Sequence, residues 1–114
     1  MFECNVINTD FMEEHMNKNI NKPHNEELYK AILSLDNLQD CMNSFKDLCT
    51  VSELHAMEQR YQVAVCLSKG MIYNDILSET GASSATISRV NRSLQYGAGG
   101  YDAVFSKIKG AEEK

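Results

Sequence analysis

The segment from Ile76 to Val90 constrains the fold more than any other part of this chain, because two short amphipathic patterns meet in it at one glycine. Gly81 follows the apolar pair Ile76 and Leu77 and precedes Ile87 and Val90. A glycine between two short helices permits the left-handed backbone that a tight interhelical corner requires. The segment therefore predicts a helix-turn-helix, with Ile76, Ile87 and Val90 packed against one another inside the corner.

The second helix of this corner, predicted from Ala85 to about Gln95 with Ser83 or Ser84 as its N-cap, has two stripes of different chemistry. Ile87, Val90 and Leu94 follow one face at helical spacing and are expected to point inward. The opposite face is small or hydroxylic, which suits a helix that enters the DNA major groove, roughly 12 Å wide. The predicted DNA-binding residues are Ser83, Ser84, Ala85, Thr86, Ser88 and Arg92. For Arg92 two contacts remain open, one with a phosphate and one with a guanine edge.

Apolar residues also recur at helical spacing in the first half of the chain. They predict one helix from Asn25 to about Phe45, followed by a break between Ser44 and Cys49. The apolar surface of this helix is broad, so burial on more than one side is expected. In so short a chain a second subunit would supply the second side.

The rest of the chain carries clear helix boundaries. Thr50 and Glu53 form a capping-box pattern, and the helix that follows them ends at Gly70. Further helices are predicted over about 73–80 and 101–109. Since no segment alternates as a strand would, the predicted fold class is all-α with five or six helices.

The formal charge of −5 for 114 residues argues against a general nucleic-acid coat, which should be basic. The charge is unevenly distributed, however. Residues 1–50 hold four Lys/Arg and nine Asp/Glu, whereas residues 81–110 have a net charge of +3. The acidic excess therefore lies away from the predicted corner.

The predicted organisation is an arm over residues 1–22, a domain over residues 23–110 and a tail over residues 111–114. For the arm two other origins remain open, a start at Met16 or residues foreign to the native protein. No apolar run approaches the roughly 18 residues of a membrane span, and no signal peptide precedes the domain, so a cytoplasmic protein without membrane contact is expected.

The four cysteines lack zinc-site spacing and are interpreted as buried reduced thiols, with a redox or metal role as the alternative; they are Cys4, Cys41, Cys49 and Cys66. Neither a metal nor a cofactor is predicted.

Several of these residues together resemble the YerC/YecD family of Trp-repressor-related proteins. The resemblance covers about residues 26–109 and is most specific in the block GASSATISRVNR, residues 81–92; Leu48-Cys49-Thr50, Gln59-Arg60 and Gly70 also contribute. It implies an all-helical, intertwined homodimer in which the first helices interlock. It also implies a transcriptional regulator, most simply a repressor, that binds a two-fold operator on double-stranded DNA through a recognition helix at about residues 84–95.

The resemblance also raises the question of a tryptophan corepressor. By alignment, the residues that hold tryptophan in the Trp repressor correspond to Thr50, Arg60, Arg89 and Ser93. The glycine that leaves room for the indole corresponds to Val90, whose side chain would clash with a ring. Tryptophan binding is therefore not predicted. Two roles remain open for the arginines, a structural one through acids such as Glu58, Asp75 or Glu79, and a clamp for a different small carboxylate.

One departure from the family concerns the first helix of the corner. Ile72 stands where related chains often have a capping threonine, and Thr80 is polar where an apolar residue would pack the corner. Both features predict a soft helix over about 73–80.

The leading hypothesis is a dimeric DNA-binding regulator, and the alternatives are a protein-interaction module with a similar corner or a regulator that responds to a small carboxylate. No Ser-His-Asp set, HExxH, P-loop or dinucleotide fingerprint is present, so the protein is not predicted to be an enzyme.

Overall fold

The computed structural model describes residues 26–112, and the predictions for residues 1–25 and for the last two residues lie outside it. The described residues form six α-helices and no strand, which confirms the all-α prediction. The helices are α1 Glu26–Leu33, α2 Leu38–Leu48, α3 Val51–Ser68, α4 Tyr73–Thr80, α5 Ser84–Tyr96 and α6 Gly100–Glu112. The chain divides into two compact units, one ending at Cys41 and one beginning at Met42.

The prediction of one helix from Asn25 to Phe45 is wrong, because the chain leaves the helical path after Leu33. The Ser34 hydroxyl donates to the Ala31 carbonyl at 2.7 Å and helps to end α1. The Asn37 side chain then accepts from the backbone N–H of Asp40 at 2.8 Å, the capping bond that starts a new helix. Local side-chain bonds to the backbone thus override the apolar spacing.

The predicted break around Ser44 to Cys49 is confirmed only at its end, because α2 continues to Leu48 and Cys49 and Thr50 separate it from α3. The capping box at the start of α3 is confirmed. The Thr50 hydroxyl accepts from the Glu53 N–H at 3.1 Å, and a Glu53 carboxylate oxygen accepts from the Thr50 N–H at 2.8 Å. Gly70, with φ of 84°, ends the helix as predicted.

The buried core lies where α3, α4 and α5 pack against one another. Its members are small or branched apolar residues: Val63, Ala64, Cys66, Ile76, Ala82, Ile87 and Val90. Tyr101 and Phe105 of α6 pack against this core from outside, and the Phe105 ring lies 5.9 Å from that of Tyr61 between centroids. One long and two short helices therefore hold the corner rigidly by apolar contact.

The cysteines only partly match their predicted burial. Cys66 is buried in the core, whereas Cys41 and Cys49 are half-buried, and all three are free thiols. Cys49 lies in the turn after α2 rather than inside a helix.

Candidate nucleic-acid interface

The corner between α4 and α5 is confirmed, and its backbone turns at Gly81. Gly81 has φ of 72° and its N–H donates to the Leu77 carbonyl at 3.0 Å. Left-handed backbone of this kind costs a residue with a Cβ about 1–2 kcal/mol, so glycine is the favoured residue here. The buried methyl of Ala82 follows directly and fixes the entry to α5.

Thr80 takes part in the corner through hydrogen bonds rather than through apolar packing. Its hydroxyl donates to the Ile76 carbonyl at 2.7 Å and accepts from the Ala82 N–H at 3.1 Å. The Gln59 side chain of α3 donates to the Thr80 carbonyl at 3.2 Å. These bonds satisfy the polar groups of the corner and connect it to α3, so the polarity of Thr80 does not leave the corner unsatisfied.

Ser83, not Ser84, is the N-cap of α5. Its hydroxyl accepts from the Thr86 N–H at 3.1 Å and lies 3.1 Å from the Thr86 hydroxyl. Two of the six predicted DNA-binding residues therefore already have a role in starting the helix. Ser84 lies beside this cap with an exposed side chain that makes no such bond among the described residues.

The two predicted stripes of α5 are present. Ile87 and Val90 are buried, and Leu94 is half-buried against the core. The opposite side exposes small and hydroxylic residues and one arginine: Ser84, Ala85, Ser88 and Arg92. We call these four residues the outer face of α5. A face of this composition leaves room for close approach to another surface.

The basic side chains of α5 and α6 are open to solvent. Arg89 and Arg92 are exposed on α5, and Lys107 and Lys109 are exposed on α6. Within residues 26–112 neither arginine forms an ion pair, so no carboxylate of this region neutralises them. Arginine in this setting can donate two parallel hydrogen bonds to a phosphate or to a guanine edge.

The four residues aligned with a tryptophan site lie at the start of α3, along α3 and on α5. Thr50 is engaged in its capping box, and Arg60 lies ten residues further along α3, roughly 15 Å along the helix axis. Arg89 and Ser93 are one turn apart on α5 and both are exposed. Over the described part of the chain, the expected ion pairs of Arg60 and Arg89 with Glu58, Asp75 or Glu79 are not observed.

Val90 and Ser93 differ in their surroundings. The Val90 side chain is 2% exposed, so its isopropyl group fills space inside the corner. Ser93 lines an open cavity of about 460 Å³ whose other walls are Tyr61, Gly97, Ala98, Gly100, Tyr101 and Val104. This cavity lies on the outside of the core and has no charged residue in its lining.

Tyr73 is a residue of this surface that the sequence did not reveal. Its hydroxyl lies 3.4 Å from that of Ser88 on the outer face, although the two residues are 15 positions apart. Apolar periodicity carries no information about such a pair, since the contact depends on the angle at which α4 meets α5. In the sequence, Tyr73 is marked only by its place at the start of α4, directly before the polar residue Asn74.

The architecture of three packed helices with an exposed second corner helix is that of a helix-turn-helix protein. A family model for the Trp repressor protein matches residues 24–109, so the chain belongs to the Trp repressor family. YerC of Bacillus subtilis strain 168, itself uncharacterised, is 45% identical over 87 residues, which span 76% of this chain and 84% of YerC. The predicted resemblance to the YerC/YecD group is thereby confirmed.

Solved structures agree with the assignment to the family. A proposed Trp repressor from Staphylococcus aureus is 46% identical, with a TM-score of 0.71 over 74% of this chain and 84% of that chain. A TrpR-like protein from Eubacterium eligens is 50% identical, with a TM-score of 0.71 over 74% of this chain and 87% of that chain. In the described residues, no helix is both long and apolar enough to cross a membrane.

Proposed function

We propose that this protein is a cytoplasmic, sequence-specific DNA-binding regulator that acts as a homodimer and without enzymatic activity. The outer face of α5 carries the proposal. Its small and hydroxylic side chains are exposed, while the opposite stripe holds the helix firmly in the core. A helix that is merely solvated would more often carry Glu and Lys, whereas this surface can enter a major groove and meet base edges.

Exposed apolar residues on the first two helices support the dimer. Neither α1 nor α2 contains a buried residue, yet both carry large apolar side chains on their surfaces. These side chains are Leu28, Tyr29, Leu33, Leu38, Met42 and Leu48. A second copy of the chain would cover such a surface, and a two-fold dimer would present two recognition helices to two half-sites.

The charge distribution sets the expected strength of binding. Residues 81–110 have a net charge of +3, which the dimer would present twice, whereas the whole chain carries −5. Since phosphate contacts supply most sequence-independent affinity, general binding to DNA is expected to be weak. Specificity then depends on the outer face of α5.

Selection of bound sequences from a random DNA library by the purified protein tests the proposal. We expect an enriched two-fold sequence whose half-site centres are about one helical turn apart, roughly 34–36 Å. Arg92→Ala should weaken binding to every sequence if the side chain contacts a phosphate. If it contacts a guanine, the variant should lose the base preference at one position of the DNA site. Lys46→Ala, which removes one charge from α2, is the matched control. Failure to enrich any sequence at low salt would contradict the proposal.

Tryptophan is not expected to be the corepressor, because Val90, a buried residue, stands where the Trp repressor has the glycine that leaves room for the indole, and its side chain would clash with a ring. Isothermal titration with L-tryptophan should give no binding in the micromolar range. A clear micromolar isotherm would contradict this part of the proposal.

Two alternatives each have one supporting observation. Arg60 and Arg89 lack ion pairs within the described residues, which favours a small carboxylate other than tryptophan as effector. The acidic residues 1–50 favour a protein-interaction module, because they would oppose contact with DNA. Gel shifts at increasing salt separate the second alternative from DNA binding, since only a DNA-binding protein shows a retarded band that weakens with salt.

A further inference from the structure

The hydroxyl groups of Tyr73 and Ser88 form a pair across the helix-turn-helix. Tyr73 is the first residue of α4 and Ser88 lies on the second turn of α5, and their oxygens are 3.4 Å apart. Both side chains are exposed, the tyrosine by 40%. The pair therefore forms part of the surface that carries the outer face of α5.

The chemistry of the two hydroxyls differs. A serine hydroxyl has one donor and two acceptor sites and rotates freely. By itself it can therefore either donate to a base or accept from one. A phenol is the more acidic hydroxyl and hence the better donor of the two. When the phenol donates, it occupies one of the two acceptor sites of the Ser88 oxygen, and the Ser88 proton is directed elsewhere.

We propose that Tyr73 is a positioning residue for DNA recognition, which turns the Ser88 hydroxyl into a donor toward a base in the major groove. The inference rests on the proposed function, because it requires that the outer face of α5 meets DNA. Neither residue belongs to the buried core of the corner. Tyr73 acts through Ser88 and needs no contact of its own with the DNA.

A hydroxyl whose proton is directed toward the groove and which has lost one acceptor site prefers bases that present an acceptor. The major groove presents acceptors on guanine, adenine N7 and thymine O4, whereas cytosine presents only the N4 donor. We therefore expect discrimination against cytosine at the one position that faces Ser88. The distance of 3.4 Å exceeds the usual 2.7–2.8 Å of an O–H···O bond, so the preference should be modest, about 2- to 10-fold.

The test is a comparison of selected DNA sequences for the full chain and four variants. Tyr73→Phe removes only the hydroxyl and should flatten the preference at one base pair of each half-site, leaving the other positions and the salt dependence unchanged. Ser88→Ala should flatten the same position. Tyr96→Phe, at an exposed tyrosine at the end of α5, is the matched control and should select the wild-type sequence.

The double variant Tyr73→Phe/Ser88→Ala decides whether Tyr73 acts through Ser88. We expect it to select the same sequences as Ser88→Ala alone. A further change caused by Tyr73→Phe in that background, or a wild-type preference in the single Tyr73→Phe variant, would overturn the inference while leaving DNA binding intact. Absence of any selected sequence for the wild-type protein would overturn the proposed function and this inference together. Thermal melting of each variant verifies that it is folded.

Discussion

The corner formed by α3, α4 and α5 and the pair of helices α1 and α2 bury their apolar residues to very different extents. Ile76 and Ile87 are 0% exposed, whereas Leu33 and Leu38 are 83% and 76% exposed. The corner thus completes its own core within one chain. The first two helices carry as clear an apolar pattern, but residues 26–112 leave much of it exposed.

This difference separates two sources of stability. Packing inside the corner fixes the angle between α4 and α5 and hence the direction of the outer face. In the proposed dimer a second copy would bury α1 and α2, and this contact would determine the spacing between two outer faces rather than their local geometry. A DNA-binding dimer needs both, and each can be disturbed separately.

The largest expected effect is loss of the dimer when the two most exposed leucines become charged. Full burial of a leucine contributes about 1.5–3 kcal/mol, and Leu33→Asp with Leu38→Asp changes four such side chains per dimer. We expect the dissociation constant to rise by roughly a thousandfold or more. Sedimentation equilibrium measures it, with Ser106→Asp on α6 as the control. A wild-type mass for the double variant would refute the assignment of this surface to the dimer.

The next effect concerns the buried side of the comparison. Ile76→Ala leaves a cavity in a fully enclosed site and should lower the free energy of unfolding by about 3–4 kcal/mol. The same substitution at Ile72, 64% exposed and four residues earlier, should change it by less than about 1 kcal/mol. Urea denaturation at one protein concentration measures both. Equal losses for the two isoleucines would mean that α4 is not packed as described.

A smaller effect is expected at the turn itself. A methyl group at Gly81 would meet no atom within 4 Å, so Gly81→Ala is strained only by its φ of 72° and should cost about 1–2 kcal/mol. Gly100 also has open space around it but lies in α6 without a positive φ. Gly100→Ala should therefore stabilise the protein by about 0.5 kcal/mol. Thermal denaturation distinguishes the opposite signs, and destabilisation by both would contradict the argument.

Local signals explain which parts of the fold were predictable from sequence. The capping box of Thr50 and Glu53, the stop at Gly70 and the corner at Gly81 each depend on residues within four positions of one another, and each is confirmed. The break between α1 and α2 escaped prediction for a related reason. Leu35 and Leu38 continue the apolar spacing across it, while the helix ends through hydrogen bonds of single side chains.

The candidate site was predictable only along one helix. Helical spacing separates Ile87 and Val90 from Ser88 on α5, because faces of a single helix follow from its period. Tyr73 reaches that surface from α4, and no rule of spacing connects residues on two helices whose crossing angle is unknown.

The smallest expected effect tests the predicted softness of α4. Thr50 and Ser83 cap α3 and α5 through their side chains, but Ile72 at the start of α4 has no side-chain cap. Ile72→Thr supplies a hydroxyl acceptor and should stabilise the helix by about 0.5–1 kcal/mol, slowing amide exchange over residues 73–80 about 2- to 5-fold. Valine has nearly the same shape as threonine but lacks the oxygen, so Ile72→Val should leave amide exchange over residues 73–80 unchanged. In the wild-type protein, residues 72–80 should exchange faster than residues 53–67, and equal protection would contradict the soft helix. If both substitutions slow amide exchange, the effect comes from side-chain shape. If only threonine slows it, the effect comes from the cap that Ile72 lacks.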